Sequence, residues 1–143
     1  MSVRVSSTPI STARALVELH RAGLGGVVVF EGIVRPDRAR GGRVRALEYE
    51  THRSVALDAM RRLAHEVGDR TGASTIVLWH RIGIVPVGEV AVIVGAAAPH
   101  RRVAFRAVGE LIDRVKTEIP LWKSDQVRSA RRPRRRLRRR DAR

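Results

Sequence analysis

The sequence predicts one α+β domain followed by a basic tail, on three observations. β-Branched runs of strand length alternate with segments whose apolar residues recur at helical spacing. The 143 residues, 43% of them hydrophobic, suffice for one buried core and are short for two. The final stretch, Arg131 to Arg143, holds nine arginines and one aspartate, a composition that buries almost nothing.

Taken in order, Met1 to Ser7 alternates weakly and reads as an edge strand. Ser11 to Ala22 places Ala15, Leu16, Leu19 and Ala22 on one helical face, with Ser11 or Thr12 as N-cap and Gly23 as its stop. Val27 to Arg35 is a strongly β-branched run and reads as a strand buried on both faces, in which Gly32 marks a bulge or a close backbone approach. Pro36 to Gly42 is a polar loop. Arg43 to Thr51 is a second strand, with Leu47 and Tyr49 on one face and Val44, Ala46, Glu48 and Glu50 on the other. Ala56, Met60, Leu63 and Val67 give the range Arg53 to Thr71 a core-facing helical stripe that ends at Gly72. Ser74 to Ile82 and Glu89 to Ala98 are further strands, expected to pair antiparallel across a loop from Gly83 to Gly88. His100 to Thr117 is the last helix, burying Ala104, Val108, Leu111, Ile112 and Val115, and Pro120 prevents its continuation. The expectation is about three helices and four or five strands over residues 1–127, with residues 128–143 as a disordered Arg-rich tail.

There is no cysteine, which excludes disulfides, thiolate metal sites and cysteine nucleophiles, so sulfur chemistry would need sulfur brought by a partner. Neither a signal core nor a run approaching about 18 apolar residues is present, and a soluble, cytoplasmic chain without a membrane partner is expected. About half of the net charge of +15 lies in the arginine tail, where it favours non-specific contact with phosphates. With aromatics at 3%, base-stacking platforms are not expected.

Of the 29 basic residues, 27 are Arg and two are Lys, and both lysines lie in Lys116-Thr117-Glu118-Ile119-Pro120-Leu121-Trp122-Lys123. Unlike a guanidinium, a lysine amine can lose its proton and act as base or nucleophile. The competing explanation is chance survival of two lysines under a compositional bias. Three other places could carry chemistry: His100-Arg101-Arg102 at a helix start that favours anions, Arg35 at a strand end, and His80-Arg81 closing a strand. Each has a structural alternative, as a cap, a solvent-facing charge, a surface ion pair or a hydrogen-bonded half-buried histidine. His100 and Lys116 stand 16 residues apart on one helix, about 24 Å at 1.5 Å per residue. They therefore serve different sites, or a second copy of the chain brings its helix start beside the first copy's helix end.

Five scattered histidines form no metal-ligand spacing, paired carboxylates are unsupported, and no phosphate loop or nucleotide fingerprint occurs. Neither metal nor cofactor is expected. What remains is a cluster of cations with two amines, suited to an anionic substrate or a carboxylate-bearing partner.

The order of motifs resembles the MoaE family, the large catalytic subunits of molybdopterin synthase. The matching segments are Gly26 to Arg35, Leu47 to Glu50, His80 to Gly83, Pro86 to Glu89, Pro99 to Arg101 with Ala104-Phe105, and Lys116 to Lys123. They span roughly Gly25 to Lys123, and six in this order are specific. The resemblance implies a hammerhead-like antiparallel sheet and a dimeric core within a heterotetramer. It also implies a small ubiquitin-like (MoaD-like) sulfur-carrier subunit with a C-terminal Gly-Gly thiocarboxylate. The implied activity is that of a sulfurtransferase of molybdenum cofactor biosynthesis, which transfers sulfur to cyclic pyranopterin monophosphate and forms the molybdopterin dithiolene.

Carried over by motif, Lys116 is the essential pocket lysine and Lys123 the second lysine. Arg35, His100 and Arg101 are binding residues for the anionic pterin and the carrier tail, with His100-Arg101 supplied by the neighbouring chain. Phe30 is a wall residue. The chain departs from the family after Lys123: Ser124 to Ala130 replaces a Gly-x-x-Trp-Val-Glu-like strand, which puts that strand in question. The alternatives are a non-catalytic dimeric paralogue that docks the carrier, and a basic nucleic-acid-binding protein acting through the tail.

Overall fold

The computed structural model describes residues 1–39 and 42–127. Its elements follow in the order β1 (Ser2–Ser6), α1 (Thr12–Leu19), β2 (Gly26–Ile33), β3 (Arg38–Ala39), β4 (Gly42–Glu50), α2 (Arg53–Thr71), β5 (Thr75–Arg81), β6 (Gly83–Pro86), β7 (Val90–Ala98), α3 (Arg101–Glu118) and β8 (Trp122–Val127). The predicted α+β class stands, with more strands than the sequence suggested. The expectation of a disordered tail falls outside the described residues.

A first sheet has the order β1-β5-β7-β2. Thr75 to Arg81 are all buried, because β5 lies inside the sheet and carries apolar side chains on both faces. Ile76 and Leu78 join Met60, Leu63, Val67 and Leu111 beneath α2 and α3. Val77 and Trp79 join Ala15 and Leu19 beneath α1 on the opposite face. The expected β5–β7 pair is antiparallel, as is β2–β7, but β1 runs parallel to β5, so the sheet is mixed. Trp79 fixes this edge strand: its indole donates to Ser2 Oγ at 3.0 Å and the Arg4 guanidinium lies 4.2 Å from its ring centroid.

The helices follow their sequence signals. Ser11 caps α1 by accepting from the Arg14 N–H at 3.4 Å, and the helix ends at Leu19, before the predicted Ala22. Helix α2 spans the expected range Arg53–Thr71, and Gly72 closes it at φ 81°, a left-handed conformation that glycine adopts without a Cβ clash. Arg114 ties α3 to α2 through Glu66 at 2.6 Å while also holding Glu118 of its own helix.

Three expectations are corrected. First, β2 is not buried on both faces: it is the outer strand beside β7, and Phe30 and Ile33 are exposed. β-Branched composition marks a strand without saying whether a neighbour covers it. Gly32 does sit at a bulge, and a Cβ there would collide with Val92 Cγ1. Second, the supposed Gly83–Gly88 loop contains β6, which pairs with β4 from Ala46↔Pro86 to Tyr49↔Gly83. Third, the C-terminal strand is present: β8 runs antiparallel to β4 from Val44↔Val127 to Glu50↔Trp122 despite its atypical residues. Backbone ladder bonds, which need no particular side chain, form this pairing. β3, β4, β6 and β8 make the second sheet, over a small core of Val34, Val85 and Ala91 with Leu47 and Tyr49.

Candidate functional site

A cavity of about 870 Å³ opens where the end of the first sheet, the last turn of α3 and the second sheet meet. Its apolar wall comes from Val92 and Val94 of β7, Val115 of α3, and Ile119 and Leu121 beyond it. Arg35, Arg38, Lys116 and Lys123 bring positive charge to it, and Glu31, Asp37 and Asp125 bring negative charge.

Each cation has a local reason for its place. The chain leaving β2 is pinned by Val34 N–H donating to Glu89 O at 3.0 Å and Gly88 N–H donating to Val34 O at 2.9 Å. Arg35 therefore emerges at the cavity margin, exposed and paired with Asp37 at 3.0 Å. Lys116 occupies the last turn of α3, where the helix dipole favours a cation. Ile119 N–H closes that turn on Val115 O, Pro120 forbids another, and Thr51 Oγ1 donates to Pro120 O at 2.6 Å. The chain is thereby turned back along β4 as β8, with Lys123 opposite Tyr49. Lys123 and Asp125, two positions apart on β8, both line the cavity.

The cavity also receives His80, the last residue but one of β5. Its side chain is buried, its Nδ1 lies 2.6 Å from Arg81 O, and its ring meets Tyr49 edge-on at 5.0 Å and 72°. Burial lowers the imidazole pKa, so the neutral ring is favoured, and burial raises that of the Tyr49 phenol. Arg81 points to the other face and pairs with Glu89 at 2.6 Å.

Five of the residues singled out in the sequence thus share one cavity: Phe30, Arg35, His80, Lys116 and Lys123. His100 and Arg101 do not line it. They start α3 against the opposite end of β2, where a Cβ on Gly26 would stand 2.9 Å from Arg101 Cα. From Gly26 to Ile33 the strand covers seven steps, roughly 23 Å at about 3.3 Å each. That agrees with the separation read from the helix. His100 makes no side-chain capping bond, so the capping role is not realised. Sequence reasoning missed Arg38 and Asp125, and singled out His80 without placing it beside Tyr49. The available signal was the alternation that put Leu47 and Tyr49 on one face of β4.

The class of protein defined here is a mixed-sheet α+β protein with a cavity at the junction of its two sheets that carries two arginines and both lysines of the chain. The family model described as MoaE protein matches residues 5–118. The catalytic subunit of molybdopterin synthase from Pyrococcus abyssi is 40% identical over 111 residues, covering 78% of this chain and 74% of its own. That from Bacillus subtilis is 30% identical over 121 residues, covering 85% and 76%. The molybdopterin synthase structure from Staphylococcus aureus superimposes with a TM-score of 0.82 at 28% identity, over 88% of this chain and 91% of that one. A complex of the two molybdopterin-converting factor subunits from Helicobacter pylori shares the fold at a TM-score of 0.72, 20% identity and coverage of 86% and 83%. This chain belongs to the MoaE family.

Proposed function

We propose that this chain is the catalytic subunit of a molybdopterin synthase, a sulfurtransferase that moves sulfur from a thiocarboxylated carrier onto cyclic pyranopterin monophosphate. The observation that carries the reading is the convergence of Arg35, Lys116 and Lys123, from three separate segments, on one cavity. The cavity's mixed character suits its cargo. The apolar wall accommodates the extended tail of a small sulfur-carrier subunit, and the cations hold substrate phosphate. Lacking cysteine, the chain has no sulfur of its own to donate as thiolate, consistent with sulfur arriving on the partner.

In this reading Arg35 and Lys123 bind the anionic substrate. Lys116 acts at the reacting carbon as proton shuttle or transient nucleophile, and the surrounding cations stabilise the oxyanion that forms at the thiocarboxylate carbon. His100 and Arg101 reach the site only from a second copy, so the working unit is a homodimer carrying two carriers. Residues 1–127 form the working domain, in the cytoplasm, and residues 128–143 an accessory tail. Formation of β8 removes the reason for favouring a non-catalytic scaffold.

The test is conversion of cyclic pyranopterin monophosphate to molybdopterin by the purified protein with thiocarboxylated carrier. Lys116→Ala is expected to lose activity by about 10²-fold or more, the scale of a lost proton-transfer group. A chain ending at residue 127 is expected to keep its activity. No product from the wild type, or full activity in Lys116→Ala, overturns the reading.

A further inference from the structure

We propose that His80 is the proton acceptor of this cavity, its Nε2 taking the proton from the water that severs the carrier's acyl group from the transferred sulfur. The proposal rests on the sulfur-transfer reading above and assigns a step within it.

The geometry comes first. On β5, Ile76, Leu78 and His80 share the face that packs against α2 and α3, and His80 ends that row where the helical cover gives way to the cavity. Its Nδ1 lies 2.6 Å from Arg81 O. A carbonyl oxygen can only accept, so the proton of the neutral ring sits on Nδ1 and the lone pair on Nε2. Nε2, at the ring's far side from the backbone, has no hydrogen-bond partner among the described residues. The edge-on Tyr49 ring limits rotation of the imidazole. Burial disfavours the imidazolium and outweighs the opposing pull of the Nδ1 bond to Arg81 O, so the neutral ring with its lone pair is favoured.

The other candidates are less suited. Glu31 is engaged by Thr12 Oγ1 and Asp37 by Arg35, while Asp125 is exposed on β8. Lys116 is already engaged at the reacting carbon in the reading above, and Lys123 and the guanidiniums hold the anionic substrate as donors.

The chemistry needs such a base. When the thiocarboxylate sulfur adds to an electrophilic substrate carbon, a carbon–oxygen bonding pair there passes to the oxygen, and the carrier's terminal carbonyl remains attached through sulfur as an S-acyl link. Water then adds to that carbonyl carbon: the C–O bond forms as the water proton passes to Nε2. The tetrahedral adduct collapses with cleavage of C–S, whose electron pair stays on sulfur as thiolate. The carrier leaves as a carboxylic acid that loses its remaining proton to solvent, and the imidazolium returns the other proton to the thiolate or to solvent. No oxidant or reductant is involved.

The experiment is a single-turnover reaction of the full-length protein with thiocarboxylated carrier and cyclic pyranopterin monophosphate, quenched in acid and read by intact mass. His80→Asn keeps a donor for Arg81 O and deletes Nε2. It is expected to form the S-acyl adduct at the wild-type rate and to release product about 10²-fold more slowly, with partial rescue by added imidazole. Product release at the wild-type rate, or loss of adduct formation itself, overturns the assignment. A second reading needs no variant: ¹⁵N shifts of the wild-type histidines at neutral pH should show His80 neutral with the proton on Nδ1. An imidazolium or the opposite tautomer overturns the proposal even where His80→Asn fails to fold. Wild-type protein that yields neither adduct nor product sinks the sulfur-transfer reading instead, a result distinct from normal turnover with an unimpaired His80→Asn.

Discussion

Gly26→Ala and Gly109→Ala are expected to change stability in opposite directions, although both touch α3. A Cβ on Gly26 would lie 2.9 Å from Arg101 Cα, 3.0 Å from Arg101 N and 3.4 Å from the His100 carbonyl carbon. All three are backbone atoms, so no rotamer change relieves the contact, and either β2 or the start of α3 has to move. Overpacking of this kind costs about 1–3 kcal/mol. At Gly109 the Cβ position is open, and alanine there gains the helix-propensity difference of about 0.5–1 kcal/mol. For a chain of this length each kcal/mol moves Tm by roughly 3–4 °C, so the expected changes are a fall of about 3–12 °C and a rise of about 2–4 °C. Scanning calorimetry on the two variants and the wild type reads both. A Gly26→Ala protein with unchanged Tm would mean that the approach of β2 to α3 has slack, and the reasoning about this contact would be refuted.

Two further outcomes follow from the packing and charge. Leu111→Ala, at a fully buried position between α3 and the first sheet, should lose about 2–5 kcal/mol in urea denaturation, and a loss below about 1 kcal/mol would show that the helix collapses onto the gap. Arg114 holds the Glu118 carboxyl below its ordinary value by hydrogen bonding and charge. A carboxyl depressed in the fold contributes stability that is complete above its unfolded pKa, near 4.5, and is lost as pH falls through the lower folded value. Arg114→Ala should therefore lower the urea midpoint at neutral pH and shrink the wild type's acid-induced loss below about pH 4.5. An equal deficit at neutral and acid pH would count against the linkage.

The sequence carried the long helices well because their signals are redundant. Four apolar positions at helical spacing and a terminal glycine all agree on α2, and local pattern needs no tertiary help there. Strand neighbours are another matter. Val27-Val28-Val29 announces a strand, but whether it lies inside the sheet depends on whether another strand pairs along its far edge, a long-range fact absent from the local pattern. β6 escaped because four residues ending in Pro86 are too few to show alternation. β8 was doubted because Ser124, Asp125 and Gln126 lack strand propensity, yet pairing with an existing strand compensates for weak intrinsic preference. The candidate site divides the same way. Lys116 and Lys123 stood out through compositional rarity, and Arg35 through its place at a strand end. The His80–Tyr49 contact joins strands of different sheets, and nothing in either segment announces the other.

That contact also explains how a shallow second sheet can hold a precise site. Tyr49 has Lys123 of β8 on one side and Gly83 of β6 on the other, while its ring meets His80 of the first sheet. One residue of β4 thus references the amine, the imidazole and the turn between β5 and β6 to a single strand. Strand periodicity is two, so slipping β8 by one residue would send Lys123 to the outer face and bring Trp122 or Ser124 inward. The register is held against that slip from both ends: Thr51 binds Pro120 O where β8 begins, and Gln126 donates to Glu48 at 2.6 Å on the face away from the cavity. The residues of β8 that look foreign to a strand therefore have work to do. Asp125 lies at the cavity side of the strand, Gln126 bonds Glu48 on the other side, and the strand's identity resides in its pairing with β4 more than in its composition.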